Sequence, residues 1–102
     1  MGMSETVVEH ETVTRISMRL PSMFNVVLFN DDRTTVEFVV LVLMTVFYKS
    51  ITDASALTMK IHDEGRGVAG TFSFEVATQK RDETIALARA NGWPLHCAVE
   101  EV

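Results

Sequence analysis

Past Pro21 the chain alternates between apolar runs and polar punctuation, and each change of pattern marks an element. Met23-Phe24-Asn25-Val26-Val27-Leu28-Phe29 is a short apolar run bounded by Pro21 and by Asn30-Asp31-Asp32, which predicts a buried strand. Thr34-x-x-Glu37 has capping-box spacing, its hydroxyl and carboxylate able to satisfy free amides at a helix start. The segment after it, roughly 35–48, is apolar almost all round, from Val36 through Phe38–Met44 to Val46 and Phe47. Its β-branched content also suits a strand, but its length and cap favour a buried helix, with Phe38, Leu41, Leu43 and Phe47 in the core.

A second cap, Ser50-x-x-Asp53, opens a helix through Ala54, Leu57 and Ile61 that Gly65 should end. Gly65-Arg66-Gly67 reads as a turn, and Val68–Phe74 as a strand with Gly70 as a candidate bulge. A third helix is expected over Glu75–Ala90, with Val76, Ala77, Thr84, Leu87 and Ala88 on one face. Asn91-Gly92-Trp93-Pro94 stops it, Trp93 being a packing or rim residue, and Leu95–Val99 forms a last strand. The order is βααβαβ, an α+β domain in which a three-stranded antiparallel sheet packs against three helices.

Residues 1–20 lack sustained periodicity and are expected to form a flexible arm, leaving 21–102 as the single folded core. Acidic Glu5, Glu9 and Glu11 stand where a secretory signal needs basic residues. Met1-Gly2 with Thr6 formally fits a myristoylation pattern, but a plain start accounts for it as well. The apolar run Phe38–Tyr48 is about half the roughly 20 residues of a membrane span. Nine basic against fourteen acidic residues give a net charge of −5, a poor match to nucleic acid or anionic lipid. One cysteine excludes an internal disulfide and suits a reducing compartment.

Candidate chemistry is sparse. His10, His62, His96 and Cys97 have no metal-ligand spacing, and adjacent His96 and Cys97 point to opposite faces of a strand. Cys97 with His62 could form a nucleophilic pair, yet Cys97 shares parity with Leu95 and Val99, as a core thiol does. The glycines have neither Walker nor dinucleotide spacing, and no cofactor is implied. Two stretches stand out: Asn30-Asp31-Asp32-Arg33-Thr34-Thr35 and Ile61-His62-Asp63-Glu64-Gly65-Arg66-Gly67. Each also has an ordinary reading, as turn formers and as a helix end whose His complements the dipole.

From Pro21 to Val39 the chain resembles the opening of the ClpS adaptor family, whose pattern is Pro-x-x-(Tyr/Phe)-x-Val-x-Leu-x-Asn-Asp-Asp-x-Thr-Pro-x-Glu-Phe-Val. The resemblance continues through Val46-Phe47, Ile61-His62-x-x-Gly65-x-Gly67, Glu75-Val76-Ala77-x-x-Lys80 and Ala88-Arg89-x-Asn91-Gly92-x-Pro94-Leu95-x-Cys97. It implies an adaptor without catalysis, one that binds proteins by a destabilising N-terminal residue and delivers them to a Clp AAA+ unfoldase. Asn30, Asp32 and His62 would hold the free α-amino group. Leu28, Thr34, Val36, Val39, Thr58, Ile61 and Leu95 would line the side-chain pocket, and Glu75 and Lys80 would meet the unfoldase's N-terminal domain, of ClpA or ClpC type. The implied substrates carry N-terminal Phe, Tyr, Trp or Leu, and the implied setting is a monomer in a bacterial cytoplasm.

These residue types suit that task. An ammonium offers three N–H donors and a charge, which an amide oxygen, a carboxylate and a neutral imidazole nitrogen can accept at about 1.5–3 kcal/mol each. Affinity is therefore expected to fall as acid protonates His62, and again as base deprotonates the amine. Three departures bear on specificity. Val36 and Thr58 stand where Met is usual in the family, implying a wider and slightly more polar pocket that tolerates Ile and Val. Thr35 replaces a Pro, and at a first helical turn either is acceptable. Two rival readings stay open: a ribosomal-protein-like interaction domain of the same shape without a ligand pocket, and a hydrolase using Cys97 and His62.

Overall fold

The computed structural model describes residues 22–102, so the arm expected over 1–20 lies outside the described residues. The elements are β1 (Phe24–Phe29), α1 (Val36–Thr45), α2 (Ile51–Glu64), β2 (Arg66–Phe72), α3 (Phe74–Ala90) and β3 (His96–Glu101). The strands form one antiparallel sheet in the order β2-β1-β3, with β1 in the centre. The expected βααβαβ order and α+β architecture are what is observed. None of the described helices is long and apolar enough to cross a membrane.

Local chemistry sets the helix ends. The N-cap of α1 is Thr35, whose hydroxyl accepts from the Phe38 amide at 3.2 Å, and not Thr34 as the capping-box spacing suggested. The reason lies one step upstream: Thr34 N–H donates to the Asp31 carbonyl at 3.0 Å, so Thr34 still belongs to the turn. α1 also ends earlier than expected, at Thr45. Lys49 N–H reaches back to the Leu43 carbonyl while Tyr48 adopts a left-handed φ of 56°. Ser50 caps α2 through the Asp53 amide at 3.1 Å, and Gly65 closes it at a φ of 89°.

β2 starts and stops two residues before the expected strand. Ser73 turns its hydroxyl to the Val76 amide and caps α3, which removes Ser73 and Phe74 from the strand. Arg66 and Gly67, expected in a turn, pair with Phe29 and Leu28. The bulge falls on Ala69, beside the expected Gly70, because the register jumps between Val26↔Gly70 and Val27↔Val68. A Cβ on Gly67 would lie 2.7 Å from Ile61 Cγ1, so this glycine lets α2 approach the sheet closely.

The core lies between the sheet and the helices, around Val26, Leu28, Val42, Leu43, Ala77, Ala88 and Leu95. Cys97 is buried within it, as its strand parity predicts. Trp93 packs against the core with its ring 6.2 Å from that of Phe38. Two expected core positions are not core. Leu41 on α1 is 46% exposed and Val76 on α3 39% exposed, because each helix buries only a stripe.

Candidate functional site

The turn after β1, the first turn of α1 and the last two turns of α2 enclose a cavity of about 380 Å³. A single backbone bond ties these pieces together: Asn30 N–H donates to the carbonyl of Gly65, the C-cap of α2, at 2.9 Å. The last turn of α2 carries His62, so that bond brings Asn30 and His62 to the same mouth.

Asn30, Asp32 and His62, the three expected amine-binding residues, all line the cavity and are all exposed. Asn30 Nδ2 donates to Asp32 Oδ1 at 3.3 Å, which leaves the Asn30 amide oxygen as an acceptor. The two aspartates divide their work. Asp31 Oδ1 accepts from the Arg33 amide at 2.9 Å and lies 3.6 Å from Arg33 Nε, while its carbonyl holds Thr34 N–H. Asp31 builds the turn and Asp32 is left to face the mouth.

Charge at the cavity has one sign. Asp31, Asp32 and Glu37 line it and, among the described residues, no Lys or Arg does. The carbonyl end of α2 adds negative potential beside His62. Such a mouth favours a cation with several donors over any anion.

Below the mouth the lining turns apolar. Val39 and Ile61 are buried wall residues, Thr34 and Thr58 stand beside them, and Val36 is 46% exposed at the edge. Five of the seven expected pocket residues therefore meet in one cavity. Leu28 and Leu95 do not line it. Each is almost wholly buried in the core, where the pleat of β1 and the approach to β3 direct it. Phe29, Asp31, Thr35 and Glu37 line the cavity without having been singled out as pocket residues. The strand pattern could have suggested Phe29, the last apolar residue before the turn.

The two wall threonines are not equivalent. Thr58 Oγ1 donates to the Ala54 carbonyl at 2.8 Å, so its hydroxyl is engaged by its own helix. The extra polarity expected from Thr58 is largely neutralised there. Thr34 Oγ1 is buried with no hydrogen-bond partner among the described residues.

The remaining candidates lie elsewhere. Cys97 belongs to the core and does not line the cavity, and burial pushes its thiol up to about 12, the reverse of what a nucleophile needs. Among the described residues no His/Cys/Asp/Glu cluster could hold a metal ion. Glu75 is exposed in the first turn of α3, and Lys80 is half-buried on the same helix. Lys80 Nζ donates to the Val46 carbonyl at 2.7 Å and lies 4.5 Å from the Tyr48 ring centre. It thus ties α3 to the end of α1.

Comparison with known proteins gives a consistent set of relatives. A family model described as ATP-dependent Clp protease adaptor protein ClpS matches residues 19–98. A ClpS adapter protein of Nitratidesulfovibrio vulgaris is 47% identical over 85 residues, covering 83% of this chain and 82% of that protein. One of Desulforapulum autotrophicum is 40% identical over 103 residues, with 99% of each covered. Among solved structures, Agrobacterium tumefaciens ClpS2 bound to L-phenylalaninamide superposes with a TM-score of 0.79 at 32% identity, covering 81% of this chain and all of that one.

Proposed function

This chain belongs to the ClpS family of ATP-dependent Clp protease adaptors, and we propose on that premise that its cavity captures protein N-termini by their free α-amino group and bulky first side chain. The carrying observation is the layering of the cavity, with Asn30, Asp32 and His62 at an anionic mouth above apolar Val39 and Ile61. An N-terminal residue has the matching order, an ammonium attached to a side chain. L-Phenylalaninamide, the ligand of the Agrobacterium protein, carries both groups.

In this reading the Asn30 amide oxygen, the Asp32 carboxylate and a neutral His62 nitrogen accept the three ammonium N–H bonds. Thr34, Val36, Val39, Thr58 and Ile61 surround the side chain, with Leu28 and Leu95 backing the wall from the core. Phe, Tyr, Trp and Leu ends bind, and short Val36 and Thr58 admit Ile and Val better than a Met-lined pocket would. Glu75 and Lys80 on α3 face the N-terminal domain of a ClpA- or ClpC-type unfoldase, to which the bound protein passes. The chain acts by binding alone, with no catalytic step, as a monomer in a bacterial cytoplasm, and engages neither nucleic acid nor membrane.

Calorimetry with a short peptide bearing a free N-terminal Phe, beside its acetylated twin, tests this. The expected result is micromolar or tighter binding of the free peptide and loss of at least about tenfold on acetylation, one charge-assisted hydrogen bond being worth that much. Equal binding of the two peptides overturns the reading.

A further inference from the structure

We propose that Tyr48 is the aromatic anchor by which the α3 face docks on the N-terminal domain of a Clp unfoldase, with Lys80 acting there as its positioning residue. This rests on the reading above that α3 meets the unfoldase, and it adds the side chain that makes the contact.

Tyr48 is unusual in two ways. It is 80% exposed, more than any other large apolar side chain among the described residues. It also holds a φ of 56°, and no other non-glycine residue among those described has a positive φ. A left-handed position after a helix ordinarily takes Gly or Asn, and a bulky side chain there bears a backbone cost. Burial does not offset that cost, since so exposed a ring removes little area from water. The Lys80 ammonium near the ring offsets only part of it, because exposed cation–π contacts are weak. An exposed aromatic kept at a disfavoured backbone position points to a contact made outside the chain.

The ring is also held in place. Lys49 N–H returns to the Leu43 carbonyl at 3.0 Å and fixes the turn. Lys80 Nζ is anchored on the Val46 carbonyl at 2.7 Å and lies 4.5 Å from the centre of the Tyr48 ring. Lys80 is half-buried and its ammonium is engaged, so a partner approaching here meets the phenol. A tyrosine already held by its backbone and by a cation loses little freedom on binding, which suits it to be an interface hot spot. Val76, 39% exposed, lies one turn before Lys80 on the same face of α3, and exposed Glu75 adjoins it. The surface fits an unfoldase domain that offers an apolar pocket for the ring and a basic group for Glu75.

The test is capture of the full chain by the isolated N-terminal domains of a ClpA-type and a ClpC-type unfoldase, measured separately by biolayer interferometry. Wild type, Tyr48→Asn and Tyr48→Phe are compared, each also melted and titrated with a free N-terminal Phe peptide. Tyr48→Asn should weaken capture at least about tenfold, as loss of an anchor residue does. Its melting temperature should hold because Asn accepts the left-handed backbone, and its peptide affinity because Tyr48 does not line the cavity. Tyr48→Phe keeps the ring and should keep most of the capture. Lys80→Met should weaken capture in wild type yet cost nothing further in the Tyr48→Asn background, and additive losses would overturn its positioning role. Unchanged capture of Tyr48→Asn, or an equal loss in Tyr48→Phe, overturns the proposal while wild-type capture sustains the docking reading. A wild-type dimer in sedimentation that Tyr48→Asn abolishes also overturns it, since the ring then faces a second copy. Failure of wild type to bind either domain overturns the docking reading and this extension with it.

Discussion

The backbone N–H of Asn30 donates to the carbonyl of Gly65 at 2.9 Å, fixing the end of β1 to the end of α2. Through that bond the amide of Asn30 and the ring of His62 share one mouth. Gly65 can hold its carbonyl there because it sits at a φ of 89°, with no Cβ to oppose the left-handed turn. Gly65→Ala is expected to cost about 1–2 kcal/mol of stability, read from urea midpoints. It should also weaken free-amine peptides more than its stability loss explains, because the Asn30–His62 spacing loosens.

Gly67 makes a separate prediction about the wall. A methyl there would lie 2.7 Å from Ile61 Cγ1 and 3.1 Å from Leu57 Cδ1. Ile61 is buried and lines the cavity, so it has little room to retreat. Gly67→Ala should destabilise the fold by about 1–3 kcal/mol as overpacking does. Displaced Ile61 should narrow the cavity, so Trp-ended peptides should lose more affinity than Leu-ended ones in parallel titrations.

The adjacent aspartates should separate cleanly. Asp31 accepts from the Arg33 amide and anchors the turn, whereas among the described residues Asp32 is met only by the Asn30 side chain. Asp32→Asn should leave the melting temperature nearly unchanged and reduce affinity for a free N-terminus at least about tenfold, the worth of a bond to a charged group. Asp31→Asn keeps a side-chain oxygen for the Arg33 amide and should have the milder effect on binding. Paired melting and titration of the two variants decides it. A larger binding loss at Asp31 would reverse the assignment.

How far the sequence is legible depends on whether a feature is decided locally. Ser50 to Gly65 contains its own start and stop, and α2 obeys both. The choice of Thr35 over Thr34 as cap was not readable, since both hydroxyls precede the helix and only the Asp31–Thr34 turn bond decides between them. Ser73 is not legible as a boundary because a lone serine in an apolar run carries no periodic signal, yet it ends β2 and starts α3. Asn30, Asp32 and His62 are singled out by the resemblance alone, and the structure brings the three to one cavity. Leu28 and Leu95 were not separable from the pocket walls, because whether a buried leucine faces a cavity or backs it depends on tertiary packing.

Cys97 gives the fold a pH dependence with a definite sign. Burial raises its thiol from an ordinary 9.0 to about 12. Below pH 9 both folded and unfolded chains keep the proton, and this contribution to stability is intact. Above it the unfolded chain releases the proton while the folded one retains it, so stability falls progressively toward pH 12. Cys97→Ala removes this slope. Urea unfolding at pH 8 and pH 10 should show wild type losing about 1 kcal/mol more than the variant over that interval. Iodoacetamide should label the thiol only after unfolding, and ready alkylation of the native chain at pH 8 would contradict its place in the core.

Glu75 and Lys80, proposed to face the unfoldase, carry different structural duties and should therefore fail differently. Glu75 is exposed and Lys80 is bound to the Val46 carbonyl beneath the Tyr48 ring, which is itself 80% exposed. Removing Glu75 should change stability by less than about 0.5 kcal/mol, as surface substitutions do. Removing Lys80 frees the end of α1 and should cost about 1 kcal/mol. Lys80→Met keeps much of the apolar stem over Tyr48 and loses only the charge and the bond. If α3 is the docking face, Glu75→Ala weakens capture by the isolated N-terminal domain of a Clp unfoldase without altering peptide affinity or melting. Lys80→Met weakens capture with a lowered melting temperature. Unchanged capture in Glu75→Ala would remove that residue from the interface, and a parallel loss of peptide binding in either variant would mean the change had spread to the cavity.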